Sequence, residues 1–266
     1  MDIRKHFEYN PAIDVTAAHI GINKWDWETI DSENEEEALK IMKANRWDVL
    51  PIKNEDNTFT KYFSTREWNN YEKLNLNIIQ ESQKIYYRSS LRDLIRMFNK
   101  EHRHYYFLTD YNQILGLVSF VNINCQMVYN YLFQVISDIE RSIAKLLEEN
   151  IPQDDILLEF SNSSDKHLKK IKKKFDEAIQ KNRDNTIFEH MYLQTLGITL
   201  KKFLNRLPDN KKKLWEFSSK FGSEGIYNTI RQTIAHPVRP ILNDKSTLAK
   251  LDELLADYIE IKKIIK

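Results

Sequence analysis

KIYYRSSLRDLIRMFNKEHRHYYFLTDYNQILGLVSF, residues 84–120, decides how the first half of this chain folds. Within it a short aromatic and β-branched run (KIYY, 84–87) gives way to a helical stretch (LRDLIRMFNKE, 91–101). Two further strand-like runs follow, HYYFL (104–108) and ILGLVSF (114–120). Short strands alternating with a single helix are what a mixed sheet-and-helix layer requires.

The same order stands about 55 residues earlier. WETI (27–30) reads as a strand, EEEALKIMKAN (35–45) as a helix, DVLPI (48–52) and TKYF (60–63) as strands. Leu39 falls opposite Leu94, Met42 opposite Met97 and Ser64 opposite Ser119, and each last strand follows a polar turn, NEDN (54–57) or DYNQ (110–113). One helix and about three strands leave an apolar sheet face uncovered, so two copies must stack to complete a core, and the cleft between them is the natural ligand site. The copies are expected over about 12–70 and 71–125, forming one domain over 1–125.

At these residues the chain resembles the CBS-domain family, whose tandem pairs bind adenine nucleotides or related ligands between the repeats. GLVSFVN (116–122) is similar to the family's G-h-h-[ST]-x-x-[DN] pattern. The resemblance implies that Ser119 approaches phosphate and that Asn122 hydrogen-bonds ribose hydroxyls. In the first copy the pattern reads KYFSTRE (61–67): Ser64 and Glu67 hold the matching positions, with Lys61 where the family has Gly. The other reading of Ser64 and Ser119 is that they cap helices.

Past residue 125 helices take over. Val128, Leu132, Val135, Ile136, Ile139, Ile143, Leu146 and Leu147 recur at three- and four-residue steps between Gln126 and Asn150, with no Gly or Pro inside, which predicts one long amphipathic helix. Further helices are expected over 165–181, 188–206, near 211–220, over 224–236 and over 245–265, giving an all-α bundle over 126–266. The fold class expected is therefore α+β, an α/β module followed by a helical bundle.

Within the bundle, GIYNTIRQTIAHPVRP (225–240) places Ile226, Ile230 and Ile234 on one stripe and leaves Arg231 and His236 off it. Pro237 pushes His236 to the end of the helix. On an intact helix Arg231 and His236 lie about 140° apart, so they converge only if the helix end unwinds or a second protomer contributes. This half resembles the HEPN superfamily, helical domains with an R-x4-6-H motif that commonly dimerise into a composite, metal-independent ribonuclease site. Arg231 to His236 matches the R-x4-H form, with Gln232 where Asn, Asp or His is more usual, and Glu140 and Arg141 on the first long helix are HEPN-like as well.

The residue types suit RNA cleavage by its own 2′-OH. Arg231 supplies charge stabilisation to the phosphorane, and His236 exchanges a proton near neutral pH, as the acid if the helix C-terminus favours its imidazolium. The resemblances together imply a ligand-regulated endoribonuclease of prokaryotic stress or antiviral defence. Catalysis would need no cofactor or metal, an adenine nucleotide would act as regulator, single-stranded RNA as substrate, and the protein would work as a homodimer. The alternative is a non-catalytic nucleotide-binding sensor or adaptor that signals to a protein partner through the helical half.

Composition limits the remaining classes. A chain of 266 residues with 41% hydrophobic residues, 13 Tyr, 13 Phe and 5 Trp can bury a core throughout. No run approaches the length of a membrane helix, and the polar N-terminus is unlike a signal peptide, so a cytoplasmic location is expected. The single cysteine, Cys125, has no companion for a disulfide or a structural metal site. Net charge is only +1, so partners are not decided by global charge. The basic runs at Lys169, Lys170 and Lys172 to Lys174, and at Lys211 to Lys213, are compatible with RNA and with solvated helix faces alike.

Overall fold

The computed structural model describes residues 14–67, 70–181, 186–222, 224–235, 240–242 and 245–266. The fold is mixed α+β and divides into two compact units, Met1–Met127 and Val128–Lys266.

The first unit runs α1 (Ala17–Ile20), β1 (Ile22–Asn23), α2 (Glu35–Asn45), β2 (Val49–Lys53), β3 (Phe59–Thr65), β4 (Leu74–Ile78), β5 (Lys84–Tyr86), α3 (Leu91–Glu101), β6 (Tyr105–Asp110) and β7 (Gln113–Ser119). Two sheets form, with orders β2-β3-β4 and β1-β7-β6-β5. Each copy contributes an antiparallel hairpin, β2–β3 or β6–β7, and a parallel neighbour: β5 runs parallel to β6, while Ile30 makes a single parallel bridge to Ile52. WETI thus forms one bridge rather than a strand.

Each sheet is completed by an edge strand from the start of the other copy. β1, at the start of the first copy, pairs with β7 through Ile22↔Leu117 and Asn23↔Gly116; β4, at the start of the second, pairs with β3, including Tyr62↔Asn77 and Lys61↔Ile78. Neither edge strand was expected from the sequence.

The repeat also fixes the backbone at unusual points. Among the described residues four non-glycine residues have positive φ: Arg46 (57°) and His102 (53°), which end α2 and α3, and Asn57 (61°) and Tyr111 (49°), in the two hairpin turns. Helix ends and tight turns are where left-handed backbone closes a chain reversal, and both copies use it at matching places. α2 and α3 start on side-chain caps, Asn34 Oδ1 accepting from Glu36 N at 3.1 Å and Ser90 Oγ accepting from Asp93 N at 3.1 Å.

One apolar cluster gathers Ile30, Ala38, Met42, Leu50, Ile52 and Phe63 of the first copy with Leu74 of β4. A second cluster, Phe59, Tyr62, Ile79, Phe107 and Ile114, draws on both copies and joins the two sheets. Stacking thus buries the sheet faces that neither copy covers alone.

The second unit is helical: α4 (Gln126–Asn150), α5 (Gln153–Asn162), α6 (Lys166–Gln180), α7 (Leu193–Lys202), α8 (Ile226–Ile234) and α9 (Lys245–Ile265), with 3₁₀ turns at Ile187–His190 and Leu204–Arg206 and over Asp209–Phe221. α4 has the expected limits and buries the expected eight residues, together with Tyr129. α5 was not read from the sequence, and the helix expected over 188–206 is interrupted, leaving α7 as its regular core. α4 and α9 are tied by Asp138, which accepts from Tyr258 Oη at 2.8 Å and pairs with Lys262 Nζ at 2.9 Å. On α9, Asp257 receives Lys220 Nζ at 2.5 Å and the fully buried Tyr227 hydroxyl at 3.1 Å.

Candidate functional site

In the first unit a cavity of about 190 Å³ opens between the copies. Ser119 and Asn122 line it, opposite Arg46, Trp47 and Asp48 from the α2–β2 turn, with Glu28, Tyr105 and Leu117 around them. β7 delivers Ser119 and a 3₁₀ turn, Phe120–Asn124, brings Asn122 back to it. Asn122 Oδ1 accepts from Ser119 N at 2.7 Å and from Ser119 Oγ at 2.8 Å. That leaves the Asn122 Nδ2 donor for a ligand oxygen. Asp48 is itself nearly buried and accepts the Thr65 hydroxyl at 2.8 Å. The lining thus offers a cation, two carboxylates, an amide and two aromatic rings, a set that suits a polar ligand carrying hydroxyls and a flat ring. Sequence reading found Ser119 and Asn122 but not Arg46, Asp48 or Tyr105. The one local signal for Arg46 is its position directly after a helix.

Gly116, the first residue of the pattern, has a steric role: a Cβ there would overlap the Ile22 carbonyl oxygen across the β7–β1 pair. Lys61, at the matching point of the first copy, faces Ile78 in the β3–β4 register and pairs with Glu33 at 2.6 Å.

Ser64 accepts from Asn77 Nδ2 at 3.0 Å, and Glu67 is exposed to solvent. The structure therefore does not bring Ser64 and Glu67 together as it does Ser119 and Asn122. Around Ser64, Gln83 Nε2 donates to Tyr62 Oη at 2.5 Å and Tyr105 Oη donates to the same oxygen at 3.0 Å. Burial, then the hydrogen bond to Tyr62, pushes the Tyr105 phenol far above its usual range.

In the second unit Arg231 lies on α8 with 37% of its side chain exposed, held by Glu140 of α4 through an Nε–Oε1 distance of 3.5 Å. Glu140 Oε1 also accepts the Leu193 N–H, at 3.1 Å, at the start of α7. The Arg231 guanidinium sits 5.4 Å from the Tyr192 ring centroid; Lys174 of α6 lies 5.2 Å from that centroid and 3.3 Å from the Tyr192 hydroxyl. Burial raises the Glu140 carboxyl above its ordinary value, with Arg231 and the Leu193 N–H acting against it. The result is a half-exposed cationic patch on an aromatic ring, anchored from behind by one carboxylate.

Gln232 points to solvent. The buried side of α8 is Tyr227, Ile230 and Ile234, while Ile226 is only half-buried. His236 lies outside the described residues. Glu140 was singled out from the sequence, whereas Lys174 and Tyr192 were not, because nothing local distinguishes a lysine in a basic run or a tyrosine after a 3₁₀ turn.

The outer face of α6 adds charge. Leu168, Ile171, Phe175 and Ala178 are buried, leaving Lys166, Lys169, Lys170 and Lys173 exposed on the opposite side. Among these, Lys173 has a carboxylate within 4 Å, Glu177 at 3.9 Å.

No protein-family model matches the sequence, and no curated protein matches it. Among the described residues no group of three or more His, Cys, Asp or Glu could hold a metal ion, and no helix is long and apolar enough to cross a membrane.

Proposed function

We propose that the protein is a ligand-regulated, metal-independent endoribonuclease, in which the Ser119 cavity takes an adenine nucleotide or related ligand and Arg231 with His236 cleaves single-stranded RNA. The carrying observation is that Arg231 is fixed by a largely buried carboxylate yet keeps 37% of its side chain exposed. An arginine so held can receive a phosphate without first being ordered. One His236 would take the 2′-OH proton as that oxygen attacks phosphorus, Arg231 would stabilise the phosphorane, and the His236 of the second protomer would protonate the departing 5′-oxygen, leaving a 2′,3′-cyclic phosphate and a 5′-hydroxyl. A homodimer would supply two of each residue. This division of roles is that of a HEPN-type nuclease governed by a CBS-type sensor, in the cytoplasm and in the setting of stress or antiviral defence.

The Glu140–Arg231 pair also favours a second reading, a non-catalytic nucleotide sensor that signals through its helical half, because an arginine that bridges α4 and α8 supports a bundle as well as a reaction. Cleavage of single-stranded RNA in EDTA separates the two. The nuclease loses activity in Arg231→Ala and in His236→Ala while nucleotide affinity stays unchanged. The sensor cleaves nothing in any form and shows only altered stability.

A further inference from the structure

The two copies repeat their strand pairings, Pro51↔Tyr62 answering Phe107↔Leu117, so residues lining the Ser119 cavity have counterparts. Leu117 and Ile22 face each other across β7–β1; Tyr62 and Asn77 face each other across β3–β4. By the same spacing Ser64 answers Ser119, and Gln83 answers Glu28.

These replacements change what the space contains. Where the open cavity has the side chain of Leu117, the first copy has Tyr62, which is 2% exposed. Its ring packs edge-on against Tyr105 and Phe107, at centroid distances of 5.9 Å and 5.1 Å. Its hydroxyl receives both the Gln83 amide and the Tyr105 hydroxyl. The Ser64 hydroxyl, which would meet a ligand, receives Asn77. The polar groups of the first-copy site thus satisfy one another.

We infer that the module has one ligand site per chain, at Ser119 and Asn122, and that its symmetry mate at Ser64 is closed by Tyr62, Gln83 and Asn77 of the chain itself. Tyr105 belongs to both places: its ring lines the open cavity and its hydroxyl joins the closure. Closure follows from energetics, because a ligand at Ser64 would have to break a hydrogen-bonded network and displace a buried aromatic ring. The inference rests on the reading of the Ser119 cavity as a nucleotide site.

Titration calorimetry of the full chain with AMP, ADP and ATP tests it. One nucleotide per chain is expected, with Ser119→Ala/Asn122→Ala abolishing binding. Two per chain, or one that survives the double substitution, would overturn it. Tyr62→Leu/Gln83→Glu/Asn77→Ile, which puts the open site's residues at all three closing positions, is expected to add a second nucleotide.

If no nucleotide binds the wild type, the ligand reading fails, and Tyr62→Phe decides the closure without any ligand. Loss of a buried hydroxyl that two half-buried donors share is expected to lower the thermal midpoint by about 2 °C or more. An unchanged midpoint would mean that water already fills the first-copy site, and the inference falls.

Discussion

Glu140 fixes Arg231 and the start of α7 with one carboxylate oxygen, which pairs with the Arg231 Nε at 3.5 Å and accepts the N–H of Leu193 at 3.1 Å. Leu193 follows Tyr192, the ring over which the guanidinium lies. One side chain thereby sets both the cation and its platform.

Glu140→Gln keeps an acceptor for Leu193 but gives up the charge that orients Arg231. RNA cleavage is expected to fall by about tenfold or more, the scale of a lost positioning contact. Stability should move the other way. Burial raises the carboxyl in the folded chain, so the fold binds this proton more tightly than the unfolded chain does and weakens as pH rises through the raised value. The variant should therefore melt no lower than wild type at pH 7, and any advantage should fade towards pH 4, as calorimetry across that range would reveal. A large loss of stability at neutral pH would mean that the ion pair, rather than burial, governs Glu140.

On the proposed ribonuclease reading, the exposed lysines of α6 should contribute electrostatically to RNA binding. Replacing Lys166, Lys169 and Lys170 with Gln should weaken binding of single-stranded RNA and reduce the slope of log affinity against log salt by about 2, at about 0.7 per phosphate contact. Fluorescence anisotropy at several salt concentrations measures this. An unaltered slope would assign the face to solvation alone.

Gly116→Ala should cost about 1–3 kcal/mol, because its Cβ would meet the Ile22 carbonyl of a backbone that cannot rotate aside. Thermal denaturation checks it. Lys61→Ala, at the matching position in the first copy, should change stability by about 0.5 kcal/mol or less, since Lys61 offers one exposed ion pair.

Asp138 governs part of the acid limb. Burial alone would raise its carboxyl, but Lys262 and the Tyr258 hydroxyl outweigh that and hold it below the ordinary value. Its contribution is whole above the unfolded-state value and lost as pH falls through the lowered one. Asp138→Asn should lower stability at pH 7 by about 1 kcal/mol, discounted for the partial exposure of the pair, and the difference from wild type should shrink below pH 4.

The long periodic elements were legible in the sequence. α4 is marked by eight apolar residues at helical steps, and α2 and α3 by the repeat, although the structure shifts the expected Leu39–Leu94 alignment by one residue: the N-caps Asn34 and Ser90 and the helix ends Arg46 and His102 match, which sets Leu39 against Ile95 and Met42 against Phe98. The edge strands were not legible: β1 has two residues, and β4 reads LNLNI, an alternation too short to stand apart from a loop. WETI looked like a strand because three of its residues favour sheet, yet tertiary pairing engages only Ile30.

The site was legible where a residue belongs to a motif. Ser119 and Asn122 lie three residues apart and meet across one turn. Arg46 and Tyr105 reach the same cavity from other elements, a convergence that only the fold supplies. The first-copy motif shows the reverse. Ser64 has the right spacing, but its surroundings depend on Tyr62, Gln83 and Asn77, none of which the motif specifies.

The crossed edge strands bear on how the first unit could be divided. A cut in the segment between β3 and β4 would part each hairpin from the edge strand that completes its sheet, leaving each fragment holding the piece its partner lacks. Neither fragment could satisfy its backbone alone, whereas mixing them would restore both sheets at once. The module is thus built as two interlocked halves that can be complementary but not independent.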